Sequence, residues 1–360
     1  MKLRFRCLLF LLLPLLAQAH NGSTVYKKTI VKTFPVGDNA ALNLSNKYGK
    51  IIFHAWNKNE IKATITITGF GKNDEQARSI AEMVDIDADQ SNSSVSMRTA
   101  YNPGKSSSGW FSWGGKMDSK DYVNIDYDVY IPESLRKLMV ANQFGDVIAD
   151  KFSFPVVMEL NYCTFDIREA EDLSFRINYC DKGKIGKADK VEVRGSYSNV
   201  RADQLGSLST SSNYSEYAVD RVGELKISAN YDNYKIDHVE QASGRCTYSD
   251  VRMEELQQAI NMNMTYGDVK VGKVGTGFKS GDFQLTYSDI KMTFSRRQPL
   301  SIVANMVYGN IKVDGFELKN VVSNKKNANH DYAAQAGGAN ESSPYIKIRG
   351  TNSDAKLDTY

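Results

Sequence analysis

Side chains able to do chemistry recur along this chain at spacings of 17 to 21 residues. Asp250, Asp268 and Asp289 form one such column, and stacked carboxylates can hold calcium or run acid–base chemistry on a polysaccharide. Lys270, Lys291 and Lys312 form a second, a basic strip suited to docking an anionic glycan. Cys163 and Cys180 lie 17 residues apart. Copies on adjacent strands would bring their Cα atoms to about 5 Å, within reach of a disulfide. Cys246 falls on an inward place and reads as a buried free thiol. Trp110, Phe111 and Trp113 sit together in the Gly/Ser-rich stretch NPGKSSSGWFSWGGKMDSK. Exposed rings there mark a contact with a glycan or another partner, unless they tuck back onto the body.

No set completes a catalytic or metal constellation. The histidines His20, His54, His238 and His330 are scattered, and HExxH, CxxC, GxSxG and phosphate-loop patterns are missing. Asn233 and Asn310 fill the same place as the stacked Asp residues, so turn chemistry explains that column better than calcium does. The sequence therefore predicts no enzyme activity, no cofactor and no metal. The basic column extends back through Arg252, Lys235 and Arg201, and Asp203, Asp220, Asp237 and Glu254 run two places beyond it. Such exposed pairs are each worth well under about 1 kcal/mol. Past Gly272 the acids thin out, which leaves Lys270, Lys291 and Lys312 less compensated.

The N-terminus bounds the compartment. Lys2, Arg4 and Arg6 precede the apolar run Cys7 to Leu16, and Ala17-Gln18-Ala19 supplies a cleavage site. Residues 1–19 thus read as a secretory signal peptide. No later stretch is long and apolar enough for a transmembrane helix. The chain carries 45 basic and 42 acidic residues, and the signal takes three of the basic ones, so the mature chain is formally neutral. Neither charge nor compartment suits nucleic acid. We expect a periplasmic, outer-membrane-associated or extracellular protein.

The elements that must position these columns follow from an internal repeat. VEVRGSYSNVRADQL, LSTSSNYSEYAVDRV, LKISANYDNYKIDHV and INMNMTYGDVKVGKV each carry Tyr at the seventh place. The aromatic anchors are Phe144, Tyr162, Tyr179, Tyr197, Tyr214, Tyr231, Tyr248, Tyr266, Tyr287 and Tyr308, with an earlier copy at Tyr48. IRGTNSDAKL reads as a degenerate last copy. Places six, four and two before the anchor, and the anchor itself, share one strand face; the apolar places beyond it are three, five and eight. A fixed short period stacks like on like, which predicts an all-β, single-chain parallel β-solenoid of about 17-residue coils. Lys182 interrupts the pattern and predicts a bulge. The expected divisions are strands, a capping helix near Asp74 to Val84 and the Trp loop over 20–135, regular repeats over 136–316, and a C-terminal coil over 317–360. Residues 324–343, polar and rich in Ala and Gly, predict disorder.

The signal peptide, the segment IPESLRKLMVANQFGDV and the repeated Y-[GS]-[DN]-hydrophobic units together resemble the putative-adhesin, β-strand-repeat family of bacterial envelope proteins. The resemblance spans roughly residues 40–360 and implies a β-solenoid on the envelope side, with no defined activity to carry over. The function expected is a non-catalytic, adhesin-like or scaffold protein binding an envelope protein or glycan along its side. A carbohydrate-binding protein using the Trp loop and Lys strip is the alternative, and a polysaccharide-active enzyme comes third.

Overall fold

The structure is a computed structural model, and it describes residues 24–91, 93–102 and 122–360. Residues 1–19, expected to be a signal peptide, and the loop bearing Trp110, Phe111 and Trp113 lie outside the described residues. The described chain opens with β1 (Thr24–Pro35), β2 (Ala41–Lys47), β3 (Ile51–Trp56) and β4 (Glu60–Gly71). Helix α1 (Asp74–Glu82) follows, then β5 (Val84–Ser91), β6 (Ser94–Tyr101) and β7 (Tyr122–Pro132). Asn73 caps α1 by accepting the Gln76 N–H at 2.9 Å, and Asp74 and Glu75 suit the positive end of the helix. Its buried face, Ala77, Ile80 and Ala81, lies on β4, where a Cβ at Gly69 would meet the Ala77 carbonyl at 2.1 Å. Strand β4 is antiparallel to both β1 and β7, and β5 is antiparallel to β6.

The middle of the chain is a run of β8 (Lys137–Phe152), β9 (Val156–Asn178), β10 (Gly183–Ser196), β11 (Asn199–Asn213), β12 (Glu216–Asn230), β13 (Asn233–Thr247) and β14 (Asp250–Thr265). Each pairs in parallel with the next, so Leu208 lies beside Leu225, Leu225 beside Ala242 and Ala242 beside Ile260. The earlier copy joins this run: β2 and β3 both pair in parallel with β8. On β11 the buried places are Val200, Ala202, Leu205, Leu208, Thr210 and Ser212, which are the places expected three, five and eight beyond Tyr197 and six, four and two before Tyr214. Lys182 is the extra residue of its repeat; it takes φ 60° and shifts the inward places to Gly183, Ile185 and Ala188. A Cβ at Gly183 would lie 2.3 Å from the Phe165 ring, which already fills that space.

The C-terminal part departs from sequence order. It contains β15 (Val269–Val274), β16 (Ser280–Thr286), β17 (Ile290–Phe294), β18 (Leu300–Val307) and β19 (Ile311–Val313). After these come β20 (Leu318–Lys326), β21 (Asn329–Ala336), β22 (Tyr345–Thr351) and β23 (Ala355–Thr359). Strand β22 pairs in parallel with β16 on one side and β18 on the other, and β23 does the same between β17 and β19. The last copy in sequence is thus the last but one in space. Residues 324–343, predicted to be disordered, supply the turn and second strand of the antiparallel hairpin β20–β21, which covers the far edge of β18. Composition misled because Ala333, Ala334 and Ala336 are small residues chosen for packing, with Ala334 and Ala336 buried against the last rung.

The architecture is all-β, one long and mostly parallel sheet with one short helix. The purely parallel coil predicted from spacing is corrected at both ends, where the sheet is open and mixed through β1–β4–β7, β5–β6 and β18–β21–β20. A free parallel edge invites further strand addition, and antiparallel covers remove that edge.

Candidate binding surface

The anchors are where sequence and structure part most informatively. Period-two counting puts each Tyr on the inward face, yet every one is turned outward. All anchors from Tyr48 to Tyr308 adopt left-handed backbone, φ 50–65°. A left-handed residue resets the alternation, so the ring points to solvent and the residue after it points in. From Tyr179 to Tyr287 the anchor N–H donates across to the next rung, as from Tyr214 to Asn230 O at 3.1 Å and from Tyr231 to Thr247 O at 3.0 Å. For an L-residue this conformation costs roughly 1–2 kcal/mol.

Stacking offsets that cost. The rings run Tyr48, Phe144, Tyr162, Tyr179, Tyr197, Tyr214, Tyr231, Tyr248, Tyr266, Tyr287 without a break. From Phe144 to Tyr287 adjacent centroids are 4.7–5.1 Å apart and planes tilt by 2–11°. Each contact contributes about 0.5–1.5 kcal/mol beyond burial. Tyr101 closes one end, edge-on to Tyr48 at 6.4 Å. The ladder residues remain 38–53% exposed, and because faces cover one another, ring edges and hydroxyls form the solvent-facing line.

Behind the ladder runs a column that spacing suggested only as small turn residues. Cys180 N–H donates to Ser198 Oγ at 3.1 Å, Ser198 N–H to Ser215 Oγ at 3.3 Å, and Ser215 N–H to Asp232 Oδ1 at 2.8 Å. Asp232 N–H then donates to Ser249 Oγ at 2.9 Å. Each hydroxyl in turn donates to the carbonyl two residues before it, as Ser215 Oγ does to Asn213 O at 3.1 Å. The backbone groups released by the left-handed turn are thereby satisfied without water. Asp232 is the one acid in this column and is 1% exposed. Ser212 Oγ donates to its second oxygen at 2.7 Å. Burial pushes its carboxyl above the usual range, opposed by the bonds from Ser212 and Ser215.

Cys163 and Cys180 occupy the same column and are free thiols in the structure; the bridge expected from their spacing is not formed. Each thiol takes the hydroxyl's role instead: Cys163 Sγ donates to Asn161 O at 3.3 Å and Cys180 Sγ to Asn178 O at 3.5 Å. Burial raises both thiols, Cys180 to about 11. Cys246 is buried two places before Tyr248, and burial raises it to about 12.

The stacked carboxylates serve the turn. Asp250 Oδ1 accepts the Asp268 N–H, Asp268 Oδ1 the Asp289 N–H, each at 3.0 Å, and Asp289 Oδ1 the Asp354 N–H at 2.7 Å. Lys270 and Lys291 are in register, but the inserted last copy puts Lys356 between Lys291 and Lys312. It also brings Asp358, which pairs with Lys356 at 2.9 Å and Lys291 at 3.7 Å; Lys312 pairs with Asp314 at 2.8 Å. The expected thinning of acids is therefore confined to Lys270 and its immediate neighbours. Aligning Asn352 of IRGTNSDAKL with the anchors would have exposed both Lys356 and Asp358 in the sequence.

His20 lies outside the described residues, and the other histidines stay apart, on β3, β13 and β21. His54 meets Asp128 at 3.2 Å and His238 meets Glu255 at 3.0 Å. His330 Nε2 lies 3.0 Å from Ser323 Oγ, a geometry that invites comparison with an activated serine. Its buried Nδ1 has no partner among the described residues, and burial with the nearby Lys325 charge lowers the imidazole against the opposing pull of Asp331, so no carboxylate orients the ring as an activated serine's base requires.

No family model matches the chain, and no curated protein matches it. Among solved structures it is similar to a putative adhesin from Parabacteroides merdae, at 12% identity over 68% of this chain and 96% of that one, TM-score 0.40. A putative adhesin from Parabacteroides distasonis matches at 12% identity over 74% and 96%, TM-score 0.37. A putative cell adhesion protein from Clostridium sporogenes matches at 10% identity over 93% and 100%, TM-score 0.21.

Proposed function

We propose that the chain is a non-catalytic, exported envelope protein, adhesin-like or scaffold in role, that binds a macromolecular partner along the side of a parallel β-solenoid. The observation that carries this reading is the unbroken outward ladder from Tyr48 to Tyr287. It offers one chemistry, aromatic edge plus hydroxyl, at about 4.8 Å steps over many rungs. A one-dimensional array of that kind suits an extended partner better than a small substrate. Closure as a solenoid is supported by the inward pattern of each rung, whose alternation breaks between Ala202 and Leu205, between Leu205 and Leu208, and again at Tyr214. Three turns in one repeat bring the chain back over its own start. Export rests on the Lys2–Ala19 segment, and the family assignment on the repeated units around the anchors.

The alternative, carbohydrate binding through Trp110, Phe111, Trp113 and the Lys270, Lys291 and Lys312 strip, is weakened where Asp358 and Asp314 pair two of those lysines. The test replaces Tyr197, Tyr214 and Tyr231 together by Phe, which keeps the stack, as Phe144 already does, and removes three hydroxyls. Binding of the mature chain to envelope preparations of its native host should fall about tenfold or more, at roughly 0.5–1.5 kcal/mol per lost hydrogen bond. Unchanged binding would remove the ladder from the function.

A further inference from the structure

The strands that lead into the anchors carry a second outward column, three places before the rings. In register it runs Ser211, Ser228, Arg245, Asn263, Gln284 and Arg349, on β11, β12, β13, β14, β16 and β22. Earlier in the same column Arg176 pairs with Glu159, one rung away. Arg245 has only Ser228 and Asn263 on its flanking rungs. Both Arg245 and Arg349 are exposed, and neither pairs with a carboxylate among the described residues. The face is dented beside Arg245. Gly244 takes an inward place, four before Tyr248, yet is half-buried where its equivalents Thr210 and Ile227 are buried. A Cβ there would meet the Ile227 carbonyl oxygen at 2.4 Å, so the close backbone approach requires glycine. At this point lies an open cleft of about 460 Å³, bordered by Ser228, Gly244, Arg245, Asn261, Asn263 and Gln284. Met262, the apolar residue of the lining, is buried in the core, and no carboxylate or aromatic ring borders the cleft among the described residues.

We propose that this cleft binds an acidic polysaccharide, with a uronate carboxylate on Arg245 and sugar hydroxyls on Asn261, Asn263 and Gln284. An unpaired guanidinium offers a planar fork that fits a carboxylate through two parallel hydrogen bonds. Sugar hydroxyls both donate and accept, and the Ser and amide side chains around Arg245 do the same. The contact between Asn263 Nδ2 and Gln284 Oε1 is long, 3.4 Å, and a ligand hydroxyl would improve on it. Arg349 stands three rungs from Arg245, about 14 Å along the column, where an extended acidic chain brings a second carboxylate. Neighbouring charges are already engaged. Lys226 pairs with Glu224 at 2.7 Å, and Asp282, in register beside Asn261, accepts from the Tyr345 hydroxyl at 3.1 Å. An acidic peptide would find the same positive charge, but no apolar recess for an anchoring side chain and no free strand edge to pair with. The cleft uses no ladder ring, so this inference stands apart from the ladder reading.

The experiment titrates the mature full chain with oligomers of galacturonate, glucuronate and mannuronate. The controls are the same oligomers with their carboxyls reduced to alcohols, and poly-glutamate of equal charge. Wild type should bind at least one uronate oligomer about tenfold more tightly than its reduced form or poly-glutamate. Arg245→Ser, which restores the residue that β11 and β12 carry at this place, should weaken that binding about tenfold or more. Arg245→Lys keeps the charge and loses the fork, and should also bind more weakly than wild type. Lys270→Ser removes an exposed cation outside the cleft and should leave binding unaltered. A wild-type chain that binds none of the three uronates overturns the proposal, and so does wild-type affinity in Arg245→Ser. Equal binding of poly-glutamate assigns the cleft to acidic peptides, and an equal loss in Lys270→Ser reduces the effect to diffuse charge; either result also overturns it.

Discussion

Replacing Tyr231 by Gly and by Ala separates the two forces that meet at an anchor. Tyr231 stacks on Tyr214 at 4.8 Å and on Tyr248 at 4.7 Å, both at 2°. Removing the ring forfeits both contacts, about 1–3 kcal/mol in total. Its φ is 58°, a conformation Gly adopts freely and Ala does not. Ala keeps the strain of roughly 1–2 kcal/mol, whereas Gly releases most of it. Tyr231→Ala should therefore destabilise by about 1 kcal/mol more than Tyr231→Gly. At an ordinary strand position the order is reversed, because Gly there is worse than Ala by about 0.5–1 kcal/mol. Urea unfolding of the three proteins, compared at equal m-values, reads the difference as a shift in midpoint. A Gly variant less stable than the Ala variant would refute the left-handed anchor and the outward ladder with it.

Asp232 supplies a pH signature. Its folded-state carboxyl is raised above the unfolded value, so the stability it contributes is present below the unfolded pKa and is lost as pH rises through the folded one. Asp232→Asn can keep the bonds from Ser215 and Ser212 without the buried charge, and should gain stability relative to wild type at pH 7 but not at pH 3; an equal difference at both pH values would count against a buried ionised Asp232. Native protein should resist thiol alkylation, and denatured mature protein should take up label at Cys163, Cys180 and Cys246 alike; label at Cys246 alone would show that Cys163 and Cys180 are bridged after all. A chain ending at Ser343 lacks β22 and β23, so hydrogen exchange should show loss of protection across Leu300–Val307, restored by a peptide of residues 344–360; protection unchanged by the truncation would mean that the last copy is not inserted there.

Most inward places were legible because burial follows period two, and Leu225, Ile227, Val200 and Ala202 obey it. The anchors were misread because counting by twos assumes extended backbone, and a left-handed residue breaks the count without leaving a Gly to announce it. Asn residues are easier to suspect at positive φ, and Asn352 at an anchor's place was the clue within IRGTNSDAKL. Spacing also cannot order the last rungs: Tyr308 follows Tyr287 in sequence, while β22 separates them in space through hydrogen bonds 44 and 65 residues long in the chain. The hydroxyl column was visible as Ser198, Ser215 and Ser249, but its bonding depends on the turn that the count did not foresee. The extra residue at Lys182 was legible, and the structure takes it up in the left-handed turn before β10, which shifts the later places by one.

In-register parallel stacking is the relation from which the ladder and the hydroxyl column both derive, and paired cysteines test it directly. Ser209 lies opposite Lys226, and Lys226 opposite Ser243, on three successive strands. Cysteines replacing Ser209 and Lys226 should form a disulfide on mild oxidation, their Cα atoms standing about 4.8 Å apart. Cysteines replacing Ser209 and Ser243, at about twice that distance, should stay reduced within one molecule. The opposite pattern, with the distant pair joined and the adjacent pair free, would contradict the stacking.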